Sequence, residues 1–199
     1  MKRLTSALIV VGSLSVGGCD CPLDLWPFLD CDCFSFEADL QDCQGNGTDL
    51  SDPPVEWSIE RSEELARTGD AAVKLTLNNT NDAGKIWIER QFSVKPNCKH
   101  HVQVVFSLAS ADFGTINLWR IITGVTTTRP TSRDDLTFQD NTGNGSEADV
   151  GHVWLDKGYS FDVESGADGE LWVAIGVWGT WETARTYYVD DIRVCFSEK

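Results

Sequence analysis

Methionine is nearly absent, with one residue in 199, and histidine is rare, with only His100, His101 and His152. No run of about 18 apolar residues occurs, so no membrane-spanning helix is expected. Basic residues are scarce as well: Lys+Arg number 16 against 31 Asp+Glu, a formal net charge of −15. That deficit excludes electrostatic binding to nucleic-acid phosphates or to an anionic lipid surface. Neither a G-x-S-x-G elbow nor an H-E-x-x-H helix is present, and these mark hydrolases with a Ser nucleophile or a zinc. Carboxylate pairs of the kind a glycosidase needs must arise by chance among 31 acids, but none has a distinguishing context. The chain therefore reads as non-catalytic. Helical periodicity is also missing, except for a short stretch at residues 62–67. No repeat of 20–50 residues is visible.

What is present is apolar and aromatic. Hydrophobic residues make up 41% and charged residues 24%, with eight Trp and nine Phe. That is globular composition, enough for one domain with its own core. Val73, Leu75 and Leu77 alternate with polar residues, as do Ile86, Ile88, Phe92 and Val94, then Val102, Val104, Phe106 and Leu108. A period of two is the signature of a half-buried strand. Ile116, Leu118 and Ile122 suggest another. Residues 171–178 are apolar on both faces, as in a central strand, and 187–196 form a last strand. Gly, Asn, Asp and Pro punctuate the gaps. The fold class is therefore all-β, a sandwich or jelly roll of about 8–10 antiparallel strands.

The first residues read as an address. Lys2 and Arg3 precede a short apolar region at 4–14, the anatomy of a secretory signal. Val16-Gly17-Gly18-Cys19 resembles the bacterial lipobox, which implies a signal peptide at 1–18, acylation of Cys19 and a place on the cell envelope. Residues 19–33 are a Cys- and Pro-rich tether, and 34–199 are the domain. Six cysteines remain, Cys21, Cys31, Cys33, Cys43, Cys98 and Cys195. An even number in an exported chain suggests three disulfides with no free thiol and fifteen possible pairings. Antiparallel pairing of the opening and closing strands would bring Cys33 or Cys43 towards Cys195. Cys31-Asp32-Cys33 is too tight for a zinc knuckle.

The body opens FSFEADLQD and soon reaches Trp57. It continues TGDAAVKLTL and KIWIERQFSVKPNCKHHVQVVFSL, and closes YYVDDIRV. These segments resemble the galactose-binding-like β-jelly rolls, especially the carbohydrate-binding modules attached to xylanases and glucanases. The resemblance implies a non-catalytic module, acting as a monomer on a polysaccharide or envelope glycan. It also implies a structural Ca²⁺ held by Glu37 on the opening strand and Asp190 on the closing strand. Asp191 rivals Asp190, and carbonyls of the turn at 67–70 complete the set. Oxygen ligands suit that ion. Cys33-Phe34, Glu37, Cys43 and Val189-Asp190-Asp191-Ile192 also resemble the adhesive MAM jelly roll, so a protein-interaction lipoprotein is the alternative. A glycoside-active hydrolase ranks third.

Indole rings offer flat apolar platforms for the C–H faces of sugars, and amides or charged groups reach the hydroxyls. On residues 171–178, Leu171, Val173, Ile175 and Val177 share one face, and Trp172, Ala174, Gly176 and Trp178 share the other. The second face is a shallow trough between two rings. Asn117 and Trp119 are expected on the same side, and Trp181 at its rim. Trp57, Trp87 and Trp154 are expected in the core.

Overall fold

A computed structural model of the protein describes residues 30–115 and 119–199, with no side chain described for Asp30, Arg133 and Phe138. The expected signal peptide, Cys19, Cys21, the expected tether up to residue 29, and Asn117 lie outside the described residues. Eleven strands form among the described residues: β1 (Asp30–Phe34), β2 (Gln44–Thr48), β3 (Trp57–Ser62), β4 (Ala72–Asn78), β5 (Lys85–Ser93), β6 (Lys99–Ser110), β7 (Arg120–Thr126), β8 (Thr137–Asn141), β9 (Val153–Glu164), β10 (Glu170–Trp178) and β11 (Ala184–Glu198). Six make one sheet, ordered β3-β4-β11-β6-β9, with β1 also paired to β11. Five make the other, ordered β2-β5-β10-β7-β8, with β10 at its centre as its two-sided apolarity requires. Every pairing is antiparallel. The chain is an all-β sandwich.

The core follows from the alternation. Val73, Leu75 and Leu77 of β4, Val102, Val104, Phe106 and Leu108 of β6, and Val189 and Val194 of β11 face Ile86, Ile88, Leu171, Val173, Ile175 and Val177 across the gap. Each such side chain contributes about 1.5–3 kcal/mol on burial. Residues 62–67, expected as a helical turn and a half, instead finish β3 and continue as bends. Lys74 and Tyr188 both bond Glu64 there, so tertiary contacts set the path. Among the described residues the helix that does form is a single 3-10 turn, Arg133–Asp135.

The strand expected from Ile116 to Ile122 needs a larger correction. β7 begins at Arg120, and Ile121 joins the main core while Ile122 faces outward. Trp119 therefore points inward. It is 1% exposed and lies 5.7 Å from the Tyr187 ring. The run Trp119-Arg120-Ile121-Ile122 has apolar residues on both faces, so period two could not choose between them.

Connections cluster at two ends. At one, residues 35–43, 63–71, 94–98, 127–136 and 165–169 join strands, and the first described residue enters opposite Phe196. At the other are residues 49–56, 79–84, 111–115, 142–152 and 179–183. Trp57, Phe113, Val150 and Trp181 are the large apolar side chains left exposed among the described residues, and all four sit at this second end. Buried Asp112 ties its loops together. It accepts hydrogen bonds from Arg185 Nε at 2.7 Å, Thr142 Oγ1 at 2.6 Å and the Tyr187 hydroxyl at 2.5 Å.

The cysteines depart from expectation. Cys31, not Cys33 or Cys43, bonds Cys195, because the β1–β11 register puts Cys31 opposite Cys195 and Cys33 opposite Arg193. Cys33 is disulfide-bonded too. Cys43 and Cys98 are free thiols. Cys43 is buried, and burial pushes its pKa up to about 12; Cys98 is half-buried. A thiol reacts through its thiolate. An exchangeable disulfide reagent at neutral pH should therefore label Cys98 in the native protein and Cys43 only after denaturation. Two native labels, or none on denaturation, would contradict this assignment.

Candidate functional site

The outer face of the five-stranded sheet carries the trough expected from β10. Trp172, Ala174, Gly176 and Trp178 point away from the core, as alternation required. In register beside them stand Gln91, Glu89, Trp87 and Lys85 on β5, and Thr126, Gly124, Ile122 and Arg120 on β7. Gln44, Asn46 and Thr48 of β2 extend the same face.

Most of this face is roofed. Residues 127–136 cross it, and a Cβ on Gly124 would collide with the backbone of Asp135 and touch Leu136. Leu136 seals a small outer cluster with Trp87, Ile122 and Ala174, and Trp178 packs against it. Trp87 is thus fully buried, as expected, but on the outer face of the sheet. Glu89 is the polar centre of this roof. Its side chain is buried, and it accepts hydrogen bonds from Trp87 Nε1 at 2.7 Å and Asn46 Nδ2 at 3.1 and 3.2 Å. Arg129 of the crossing loop donates to it through Nε. Asn46 also bonds the Pro130 carbonyl at 3.0 Å, which fixes the loop.

Trp172 is half-buried. The Arg129 guanidinium sits 5.7 Å over the ring, within cation–π range. Gln44, Gln91 and Thr126 supply amide and hydroxyl groups around it. Trp178 is half-buried too, with Lys85 Nζ 4.7 Å and the Arg120 guanidinium 5.1 Å from its ring. Lys85 in turn bonds Asp49 and the Ala83 carbonyl. The four described aromatic residues of the expected site are therefore dispersed: Trp172 and Trp178 share the outer face, Trp181 is exposed at one end of the sandwich, and Trp119 is in the core. Two of the expected core rings also fall elsewhere. Trp57 is 40% exposed, because it opens edge strand β3. Trp154 packs on the outside of the six-stranded sheet with Ala72, Ala109 and Tyr188. The alternation of Trp87, Glu89 and Gln91 already signalled a shared face. Nothing local signalled Arg129, which is brought in by the path of its loop.

Glu37, Asp190 and the turn at 67–70 do come together. Asp190, fully buried, accepts from Arg67 N at 2.8 Å, Thr68 N at 3.2 Å and Asp191 N at 2.7 Å. Burial raises its pKa to about 6 against the lowering effect of these amides. Glu37 Oε2 accepts from Asp70 N at 2.9 Å. Glu37 Oε1 is buried with no hydrogen-bond partner. Gly69 is left-handed at φ 64°, and a Cβ there would overlap the Glu37 carboxylate. An orphaned carboxylate oxygen packed on a turn that only glycine allows fits a small hard cation. Among the described residues no three His, Cys, Asp or Glu side chains converge as ligands. An ion here would therefore take two carboxylates and backbone carbonyls. Asp191, the rival, instead accepts from Thr68 Oγ1 at 2.5 Å.

No family model and no curated protein matches the chain. Among solved structures, it is similar to a family 61 carbohydrate-binding module in complex with β-1,4-galactotriose, at 13% identity over 80% of this chain and 92% of that one, with a TM-score of 0.46. It is similar to a family 22 xylan-binding domain from Paenibacillus barcinonensis, at 15% identity over 86% and 97%, TM-score 0.44. It is likewise similar to the K2 cleaved adhesin domain of Lys-gingipain, at 16% identity over 84% and 97%, TM-score 0.48. At these identities no residue role passes from those proteins to this chain.

Proposed function

We propose that the domain is a non-catalytic carbohydrate-binding module, held on a bacterial cell envelope by acylation of Cys19, and that a glycan stacks on Trp172. One observation carries the reading of the site. Trp172 is a half-open indole on a sheet face, flanked in register by Gln91 and Thr126, with a guanidinium over its ring. That combination joins an apolar platform to directional polar groups. In affinity electrophoresis against neutral polysaccharides, Trp172→Ala should abolish retardation while moving the melting temperature by no more than a few degrees. Trp87→Ala is the control for a buried ring and should cost about 3–5 kcal/mol. If Trp172→Ala leaves retardation intact, the glycan lies elsewhere. The anchor is tested separately: Cys19→Ser should remove lipid labelling and release the protein from membranes.

A calcium ion on Glu37 and Asp190 belongs to the same reading, as a brace for the opening and closing strands. Calcium at a hundredfold excess over its dissociation constant would stabilise the fold by about 2.7 kcal/mol, so EDTA should lower the melting temperature by several degrees. Without the ion, the raised pKa of Asp190 means that the folded state holds this proton more tightly than the unfolded chain. Its stabilising contribution is then full below pH 3.8, the ordinary value, and is lost as pH rises through about 6. In EDTA, the wild type should therefore lose stability relative to Asp190→Asn across that window. Added calcium, by keeping the carboxylate charged, should cancel the loss. A wild type indifferent to EDTA and parallel to the variant would overturn the ion.

The exposed end favours a second reading, as an adhesion lipoprotein. Trp57, Phe113, Val150 and Trp181 cluster at the end opposite the entry of the chain, and exposed apolar groups gathered in one region mark interaction surfaces. On this reading, replacing Trp57, Phe113 and Trp181 together by Ser abolishes attachment of domain-coated beads to cells and leaves glycan retardation unchanged.

A further inference from the structure

At residues 90–93, β5 runs past the start of β2, whose pairing with β5 ends at Gln44 opposite Glu89. A cleft of about 490 Å³ opens there, between this free edge, β1 and the end of β11. Its volume is in the range of small-ligand sites. One wall is aromatic, with the Phe92 and Phe196 rings 5.2 Å apart. Arg90 also lines it, the guanidinium carbon 4.5 Å from the Phe34 ring and 5.4 Å from the Phe92 ring. Nothing accepts a hydrogen bond from this guanidinium among the described residues. Its nearest carboxylate, on exposed Asp42, is 3.8 Å away, beyond hydrogen-bond reach. The other cation, Lys95, is already closed on Glu198 at 2.6 Å, and the buried His100 ring is held by the Lys95 carbonyl at 3.1 Å.

We propose that this cleft is a second ligand site, one that takes a hydroxylated monocarboxylate, and that the ligand is a uronic-acid residue of a glycan. A guanidinium pinned on aromatic rings, with its donor fork unused, is prepared for a bidentate carboxylate and loses little freedom on binding it. Asp32 and Glu198 on the rim oppose a phosphate dianion but accept hydrogen bonds from sugar hydroxyls. Gln91 and Ser93 add uncharged partners, and the Phe92–Phe196 wall meets the C–H face of the ring. Gln91 is also the register partner of Trp172, so the cleft adjoins the face proposed above. The proposal takes from that reading only the class of ligand, since the cleft shares Gln91 alone with that site.

The test is calorimetric titration of the folded domain with a glucuronate-terminated disaccharide, the same disaccharide reduced to the neutral sugar, and sodium acetate. The acidic disaccharide should bind at least tenfold more tightly than the neutral one, and acetate should show no saturable heat. Arg90→Gln should weaken the acidic ligand at least tenfold, and Arg90→Lys, which keeps the charge but loses the fork, should fall between. Trp172→Ala should leave the acidic-to-neutral ratio unchanged even where it abolishes retention of neutral polysaccharide. Equal binding of acid and neutral sugar, no binding of either, or an Arg90→Lys variant as tight as wild type overturns the site. Acetate binding as tightly as the disaccharide overturns the uronate.

Discussion

Glu89→Ala is expected to lower the stability of the domain by about 3–5 kcal/mol, because several donors lose their buried acceptor at once, at about 1–3 kcal/mol each. At this domain size that is a fall of about 6–20 °C in melting temperature. The carboxylate is the common acceptor for Trp87, Asn46 and Arg129, on two strands and the crossing loop. Its removal leaves the Trp87 indole N–H without an acceptor under a closed roof, and the Asn46 amide with the Pro130 carbonyl alone. Residues 127–136 should then become sensitive to limited proteolysis before the rest of the domain, because Arg129 and Asn46 are what hold the loop down. Glu89→Gln retains an acceptor and should cost less. Thermal denaturation beside a proteolysis time course decides the matter. A loss of less than about 1 kcal/mol would show that the roof is held by Leu136 and Pro130 alone.

Asp112→Ala should be as damaging. Asp112 is 3% exposed and accepts from Arg185, Thr142 and Tyr187, so its removal leaves a buried phenol and a half-buried guanidinium without their acceptor. Burial and the neighbouring carboxylate already hold the Tyr187 hydroxyl well above its ordinary pKa, so it stays a neutral donor. The expected cost is again about 3–5 kcal/mol, at about 1–3 kcal/mol for each donor that loses its acceptor. Asp112→Asn preserves the shape and should cost about 1–3 kcal/mol. Denaturant melts of the pair separate charge from packing. If Asp112→Asn is as unstable as Asp112→Ala, the charge rather than the geometry sustains this end of the sandwich.

Much of the architecture is local and was therefore legible. Period two on β4, β5 and β6 names the core face without reference to any partner, because alternate side chains of a strand must point to opposite sides. The same rule assigned Trp172 and Trp178 to one face of β10. It failed at Trp119, where apolar residues occupy both faces and strand phase depends on what lies beyond. The disulfide shows a similar boundary. Cysteine count indicated bridges, but whether Cys31, Cys33 or Cys43 meets Cys195 is a matter of register between strands 164 residues apart. A two-residue slip exchanges one pairing for another.

By itself, then, the sequence determined an acidic, all-β domain and an outward pair of indoles on its central strand; that Glu37 and Asp190 meet at one turn was only what the family resemblance implied. Tertiary structure decided how much of the indole face stays open, because residues 127–136 carry no periodic signal and are steered by the distant Glu89 and Asn46. It also decided that Cys43 and Cys98 are free thiols, that four apolar side chains gather at one end, and that Arg90 lines a cleft with no hydrogen-bond acceptor among the described residues. Each of these depends on residues far apart in the chain being brought together. Burial and hydrogen-bond partnership belong to the assembled sheets rather than to any single strand.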